Sequence, residues 1–120
     1  TFAPMLDLVR DPRWGRVIES YGEDPFLTGA LGAAAIRGFQ GDDPSRPDKL
    51  LACAKHFAGY GGSEGGRDYD TTEWSENTLH NMILPPFRAA VAAGVATVMA
   101  GFNDLGGTPV SLTSADFIFA

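Results

Sequence analysis

Residues 50–57 read LLACAKHF, a short and almost continuously apolar run that a lysine and a histidine interrupt near its end. Two further runs of this kind occur, at residues 2–8 (FAPMLDL) and at residues 95–102 (VATVMAGF). Short apolar runs without regular polar alternation are typical of strands that are buried on both faces, as in parallel sheets. The three runs therefore predict three parallel strands.

A helical pattern separates the first two predicted strands. Asp24 followed by Pro25 predicts a helix start, because aspartate is a good N-cap and proline is favoured at the first helical position. The helix is expected to end near Gly38. Its apolar face is predicted from five residues at helical spacing, namely Phe26, Leu27, Ala30, Leu31 and Ala34.

The second connection contains an irregular loop at residues 59–74 and then two helical pieces, at residues 75–84 and 85–93. The double proline at 85–86 divides the pieces, and Gly94 is the predicted stop. Phe87, Ala90 and Val91 are expected on one buried face of the second piece.

Alternation of strands and helices indicates an α/β fold, either a (β/α)8 barrel or an open doubly wound sheet. The glycine-rich segment at residues 61–66 (GGSEGG) does not match the Gly-x-Gly-x-x-Gly turn of dinucleotide-binding sheets. We therefore predict a partial (β/α)8 TIM-type barrel with about three βα units. Residues 1–120 are expected to be one piece of such a domain, because three strands cannot close a barrel.

Composition restricts the possible partners. The formal net charge of −6 makes nucleic acid and anionic membranes poor candidates, since binding to them depends on clustered Lys and Arg. No apolar stretch has the length of a membrane span. The single cysteine, Cys53, is predicted to be a buried core thiol. His56 and His80 lie far apart in sequence, so we expect no metal site.

Candidate site residues follow the predicted strands, where a barrel places its ligand site. Lys55 and His56 interrupt a buried run, and a buried cation is costly unless it is paired or faces a polar cavity. The pair could donate to ligand hydroxyls, or it could be an internal ion pair to a carboxylate such as Glu64 or Asp68 with a satisfied histidine beside it. The residues themselves leave both interpretations open.

The first predicted loop offers two more candidates with the same ambiguity. Arg16 could hold a ligand hydroxyl, or it could pair with Glu19 or Glu23 and so stabilise the loop. Trp14 could stack on a sugar ring, or it could pin the loop to the body of the domain. His80 falls in a helical stretch and is expected at the surface.

Several blocks together resemble the N-terminal barrel domain of glycoside hydrolase family 3, in the same order and at similar spacing. They cover about residues 2 to 113 of the chain. The blocks are residues 2–7 (FAPMLD), 10–16 (RDPRWGR), 19–25 (ESYGEDP), 54–60 (AKHFAGY), 64–69 (EGGRDY), 84–87 (LPPF) and 98–103 (VMAGFN).

The resemblance implies that Arg16, Lys55 and His56 line the subsite that binds the non-reducing glucosyl unit. It also implies a cis peptide bond, not preceding proline, beside the Lys55-His56 pair. Members that act on N-acetylhexosamines have proline and histidine where this chain has Ala58 and Tyr60. The chain is therefore similar to the glucosidase and xylosidase branch.

The family reaction is retaining hydrolysis by two carboxylates. The resemblance places the nucleophilic aspartate and the acid/base glutamate beyond Ala120, so that residues 1–120 contain no catalytic carboxylate and need the remainder of the barrel and a following domain. The implied parent is a retaining β-glucosidase that acts on an oligosaccharide or β-glucoside without a metal or organic cofactor. Its location is unknown, and a periplasmic or secreted one is compatible with it. A β-xylosidase and a catalytically inactive sugar-binding fragment are the alternatives.

Overall fold

A computed structural model describes residues 1–112 of the chain. Two strands, β1 (Cys53–Phe57) and β2 (Thr97–Ala100), pair in parallel, with Cys53 opposite Thr97. The order of elements agrees with the predicted alternation of strands and helices. The third apolar run is shorter than predicted, because a tight hairpin of β3 (Asp104–Leu105) and β4 (Thr108–Pro109) follows it.

The first apolar run lies parallel to β1 on the side opposite β2, but it forms only one ladder bridge, between Met5 and Lys55. Backbone hydrogen bonds join Leu6 N to Lys55 O at 2.6 Å and Lys55 N to Pro4 O at 3.1 Å. The predicted parallel direction of the first run is confirmed, but its prediction as a regular strand is not. Pro4 has no N–H to donate to a ladder, which limits regular pairing at this point.

Helix α1 (Pro25–Gln40) begins where the sequence predicts, since Asp24 Oδ1 accepts a hydrogen bond of 2.7 Å from Leu27 N. It runs two residues past the predicted end at Gly38. The helix stops at Gly41, whose φ of +59° suits a residue without a side chain.

The predicted apolar face of α1 is wrong, because the helix buries its small side chains instead. Phe26 is 85% exposed, whereas Thr28, Gly29, Gly32, Ala33 and Ile36 are buried. A Cβ at Gly29 would lie 3.2 Å from the Ala89 Cβ, and one at Gly32 would lie 2.4 Å from Leu6 Cδ2. Close approach to the neighbouring elements therefore selects the glycine face of this helix.

The second helical region consists of α2 (Glu76–Thr78), a π-helical turn (Leu79–Ile83) and α3 (Pro85–Ala92), which packs against α1. Gly94, with φ of +79°, follows the end of α3 as predicted. Phe87 and Ala90 are buried as expected, but Val91 is 67% exposed. The buried stripe runs through Pro86, Phe87 and Ala90, and Val91 lies beyond its edge.

One hydrophobic cluster joins the first run, β1 and the two main helices. Its buried members are Leu6, Leu8, Ile36, Ala52, Ala54, Ala58, Leu79, Ile83, Leu84, Phe87 and Ala90. Cys53 is a buried free thiol, as predicted. Among residues 1–112, no helix combines the length and apolar character needed to cross a membrane.

Candidate functional site

The three predicted site residues come from two separate segments that meet at the carboxyl end of β1. Lys55 and His56 belong to β1 itself, and Arg16 directly precedes a 3-10 turn at Val17–Glu19. Arg16 Nη1 lies 3.3 Å from His56 Nε2. The structure therefore brings the arginine and the histidine into direct contact.

Arg16 also forms a bidentate ion pair with Glu19. Its Nε and Nη2 atoms donate to the two carboxylate oxygens, each at 2.8 Å. Hydrogen bonding by this guanidinium lowers the pKa of Glu19, and the positive charge of Lys55 contributes further. The predicted pairing of Arg16 with Glu19 is therefore confirmed, whereas contact of Arg16 with a ligand hydroxyl stays a prediction.

His56 pairs with Asp7, a residue that the sequence reasoning missed. The His56 Nδ1 atom lies 2.7 Å from Asp7 Oδ2, and the His56 backbone N–H donates to the same oxygen at 3.2 Å. Both side chains are almost completely buried. Burial raises the pKa of Asp7, and the hydrogen bond from His56 opposes that rise.

The predicted internal ion pair to a carboxylate such as Glu64 or Asp68 does not form among the described residues, but the satisfied histidine predicted beside it is confirmed by the contact of His56 with Asp7. Asp68 instead accepts hydrogen bonds from Tyr60 and, at 3.3 Å, from Trp14 Nε1. A sequence signal for Asp7 did exist. It stands in an apolar run as Lys55 and His56 do, and a buried carboxylate needs a partner.

Lys55 is half-buried, and its ammonium forms no hydrogen bond or ion pair with any residue between 1 and 112. Its charge still acts on Glu19, which places the two groups in the same site. An ammonium in this position can donate to a ligand. The Lys55-His56 peptide bond is cis, as predicted, and the Phe57-Ala58 bond is also cis.

Aromatic rings surround the imidazole of His56. The ring centroids of Tyr60 and Phe102 lie 5.2 Å and 5.5 Å from it. Trp14 is buried edge-on against Tyr60 at 5.3 Å, so it pins the loop and offers no exposed face for stacking. The second interpretation of Trp14 is therefore confirmed.

Tyr69 and Phe102 form an exposed pair of rings at the edge of the site, with centroids 5.1 Å apart. A rim of aromatic surface beside several hydrogen-bond donors is suited to a neutral polyhydroxylated ligand, because sugars present both apolar ring faces and hydroxyl groups. The arrangement can bind and orient such a ligand.

Outside this site, His80 is exposed, as predicted, and its Nδ1 atom lies 3.4 Å from Arg88 Nη2. Within the described part of the chain, no cluster of three or more His, Cys, Asp or Glu side chains could hold a metal ion. Asp104, which follows the third apolar run, accepts a hydrogen bond from Thr71 Oγ1 at its carboxylate.

Comparison with known proteins agrees with the fold. Residues 1–117 match the model of the Glycosyl hydrolase family 3 N terminal domain. The chain is 43% identical over 114 residues to a periplasmic β-glucosidase of Salmonella typhimurium, covering 95% of the chain and 15% of that relative. It is also 43% identical over 117 residues to a β-xylosidase of Formosa agariphila, covering 94% and 16%.

A solved structure of a β-glucosidase has a similar fold. The β-glucosidase of Listeria innocua in complex with glucose has a TM-score of 0.90 and 50% sequence identity, over 93% of this chain and 16% of that one. The fold is thus an α/β segment of a TIM-type barrel. The chain belongs to glycoside hydrolase family 3 and spans about a sixth of the length of these relatives.

Proposed function

We propose that this chain supplies the glucosyl-binding half of the active site of a retaining β-glucosidase. Arg16, Lys55 and His56 would donate to or accept from the hydroxyls of the terminal β-D-glucosyl unit. The contact between Arg16 and His56 carries the proposal, because it joins the two binding segments at the carboxyl end of β1. Two further features support it, namely the Lys55 ammonium, which has no partner among residues 1–112, and the rim of Tyr69 and Phe102.

Hydrolysis itself requires a nucleophile and a general acid/base. We propose that both carboxylates belong to parts of the parent enzyme outside residues 1–120. Within the described residues, the site carboxylates are already engaged, Asp7 by His56 and Glu19 by Arg16. The parent enzyme would need no cofactor, and the periplasmic relative suggests a periplasmic or secreted location.

A β-xylosidase is the second candidate, because the similarity to the Formosa agariphila enzyme equals that to the Salmonella typhimurium one in percentage identity. Glucose and xylose share the ring hydroxyls that these residues would bind. The two activities differ in whether the site accepts a hydroxymethyl group on the ring.

A hybrid enzyme tests the proposal. Residues 1–112 would replace the matching segment of the Listeria innocua β-glucosidase, and the hybrid would be assayed on 4-nitrophenyl β-D-glucoside and β-D-xyloside. We expect β-glucosidase activity that Lys55→Ala or His56→Ala lowers mainly through KM. A folded hybrid that hydrolyses only the xyloside would favour the second candidate, and one inactive on both would indicate an inactive sugar-binding segment.

A further inference from the structure

The Asp7–His56 pair is the buried polar contact that the binding role of Arg16, Lys55 and His56 does not explain by itself. We propose that Asp7 is a positioning residue that orients the His56 ring and keeps its proton on Nδ1, so that Nε2 faces the sugar as a hydrogen-bond acceptor. This inference rests on the proposed function, since it assigns the way in which one residue of that site meets its ligand.

The two contacts of the imidazole both require this tautomer. A guanidinium has only N–H donors, so Arg16 Nη1, at 3.3 Å, can hydrogen-bond to His56 Nε2 only if that nitrogen carries a lone pair. The proton must then be on Nδ1, which lies 2.7 Å from Asp7 Oδ2. The same oxygen also accepts the His56 backbone N–H at 3.2 Å, which confirms it as an acceptor.

Packing leaves the imidazole little freedom to turn away. The His56 and Asp7 side chains are only 2% and 0% exposed, and the rings of Tyr60 and Phe102 flank the imidazole. In this environment the carboxylate determines which ring nitrogen of His56 is left to accept a hydrogen bond. Because Nε2 has a single lone pair, a sugar hydroxyl would donate to it in place of Arg16 Nη1, and the same hydroxyl would accept from a donor of Arg16 or Lys55.

The second carboxylate oxygen argues against a purely structural role. Asp7 Oδ1 is buried and has no hydrogen-bond partner among residues 1–112. A half-satisfied buried carboxylate is costly to stability. An apolar residue would fill this position at lower cost unless the hydrogen bond to His56 were needed.

A double-mutant cycle in the hybrid enzyme separates positioning from folding. We expect Asp7→Ala to lower kcat/KM about 10- to 100-fold, mainly through KM, as loss of a charge-assisted hydrogen bond would. In a His56→Ala background the same change should cost less than about threefold, because the group through which Asp7 acts is gone. Equal losses in both backgrounds would overturn the proposal.

Asp24→Ala is the matched control, because Asp24 caps α1 and lies outside the site. It should lower the thermal stability of the hybrid and leave KM unchanged. Asp7→Asn is the second variant, since it keeps the shape and one acceptor oxygen. It should retain more activity than Asp7→Ala, and an identical loss in both would argue against a role through the hydrogen bond.

A measurement on the 120-residue chain tests the tautomer without any substitution inside the site. The chain has two histidines, so long-range 1H–15N spectra of histidine-labelled protein resolve His56 once His80→Gln has assigned the other signal. We expect the Nδ1–H tautomer. The Nε2–H tautomer, or the mixture of a free imidazole, would overturn the proposal even if the hybrid is active. An inactive hybrid with the Nδ1–H tautomer would instead count against the proposed function alone.

Discussion

Arg16 Nη1 lies 3.3 Å from His56 Nε2, although the two residues are 40 positions apart in the chain. The same guanidinium donates twice to Glu19, so the acid holds the arginine against the histidine. The Glu19 side chain is 40% exposed, so the pair depends on its bidentate geometry more than on burial.

Glu19→Gln should therefore weaken the site. An amide offers Arg16 one acceptor oxygen in place of two charged ones, so the arginine loses part of its support. We expect kcat/KM of the hybrid enzyme for an aryl β-glucoside to fall about tenfold. Glu23→Gln is the control, since Glu23 is exposed and belongs to the same loop, and it should change the value less than twofold. Equal effects of the two variants would contradict the role of Glu19.

The phenol of Tyr60 should lose its proton at an unusually high pH. Burial, reinforced by the hydrogen bond to Asp68, raises its pKa from an ordinary 10.0 to about 12. Between these two values the folded chain keeps a proton that the unfolded chain has lost. The free energy of unfolding should therefore fall as the pH rises through this window.

Phenolate absorbance measures this directly, because the chain contains only three tyrosines. Tyr60→Phe should remove the step at the highest pH, and it should reduce the fall in the free energy of unfolding at alkaline pH. If the step at the highest pH persists in Tyr60→Phe, it belongs to another tyrosine, which would contradict this prediction.

Gln40 should be essential to the junction of α1 with the strands. Its Oε1 atom accepts from Ala52 N at 3.2 Å and Ala96 N at 2.9 Å, and its Nε2 atom donates to Gly94 O at 2.8 Å. Gln40→Met would leave three backbone groups unpaired, of which the Ala52 N–H belongs to a buried residue, so we expect a loss of about 2 kcal/mol in the free energy of unfolding. Urea denaturation of the 120-residue chain measures it.

Arg37→Met provides the comparison for Gln40, since Arg37 is exposed and lies on the last turn of the same helix. It should change the free energy of unfolding by less than about 0.5 kcal/mol. Similar losses in the two variants would mean that helix propensity, and not the hydrogen bonds of Gln40, controls this end of α1.

Two glycines of α1 should respond to alanine in opposite directions. Alanine favours a helix over glycine by about 1 kcal/mol, and Gly38 has open space around it, so Gly38→Ala should stabilise the chain by about 0.5–1 kcal/mol. Gly32→Ala should destabilise it by about 1–3 kcal/mol, because the new Cβ would lie 2.4 Å from Leu6 Cδ2 in the buried core. Urea denaturation measures both changes in the free energy of unfolding. Stabilisation by both substitutions would contradict the close approach of Leu6 to Gly32.

Patterns in the sequence were sufficient for features that depend on neighbouring residues. The cap at Asp24 and the stop at Gly94 depend on local backbone chemistry and lie where they were predicted, and β1 lies within the predicted run but begins three residues later, at Cys53. The face of α1 could not be predicted in this way. Helical spacing identifies an apolar stripe, but the buried face depends on how closely Leu6 and Ala89 approach the glycines.

The sequence by itself determined the family and the three polar residues worth examining, because Arg16, Lys55 and His56 stand out within distinctive motifs. It did not determine their partners. Only the tertiary structure showed that His56 meets Asp7, that Arg16 spans Glu19 and His56, and that Lys55 is left available among the described residues. The physical reason is that a buried charge selects its partner by distance across the folded chain, and parallel pairing of the first run with β1 brings Asp7 and His56, 49 residues apart, to adjacent positions.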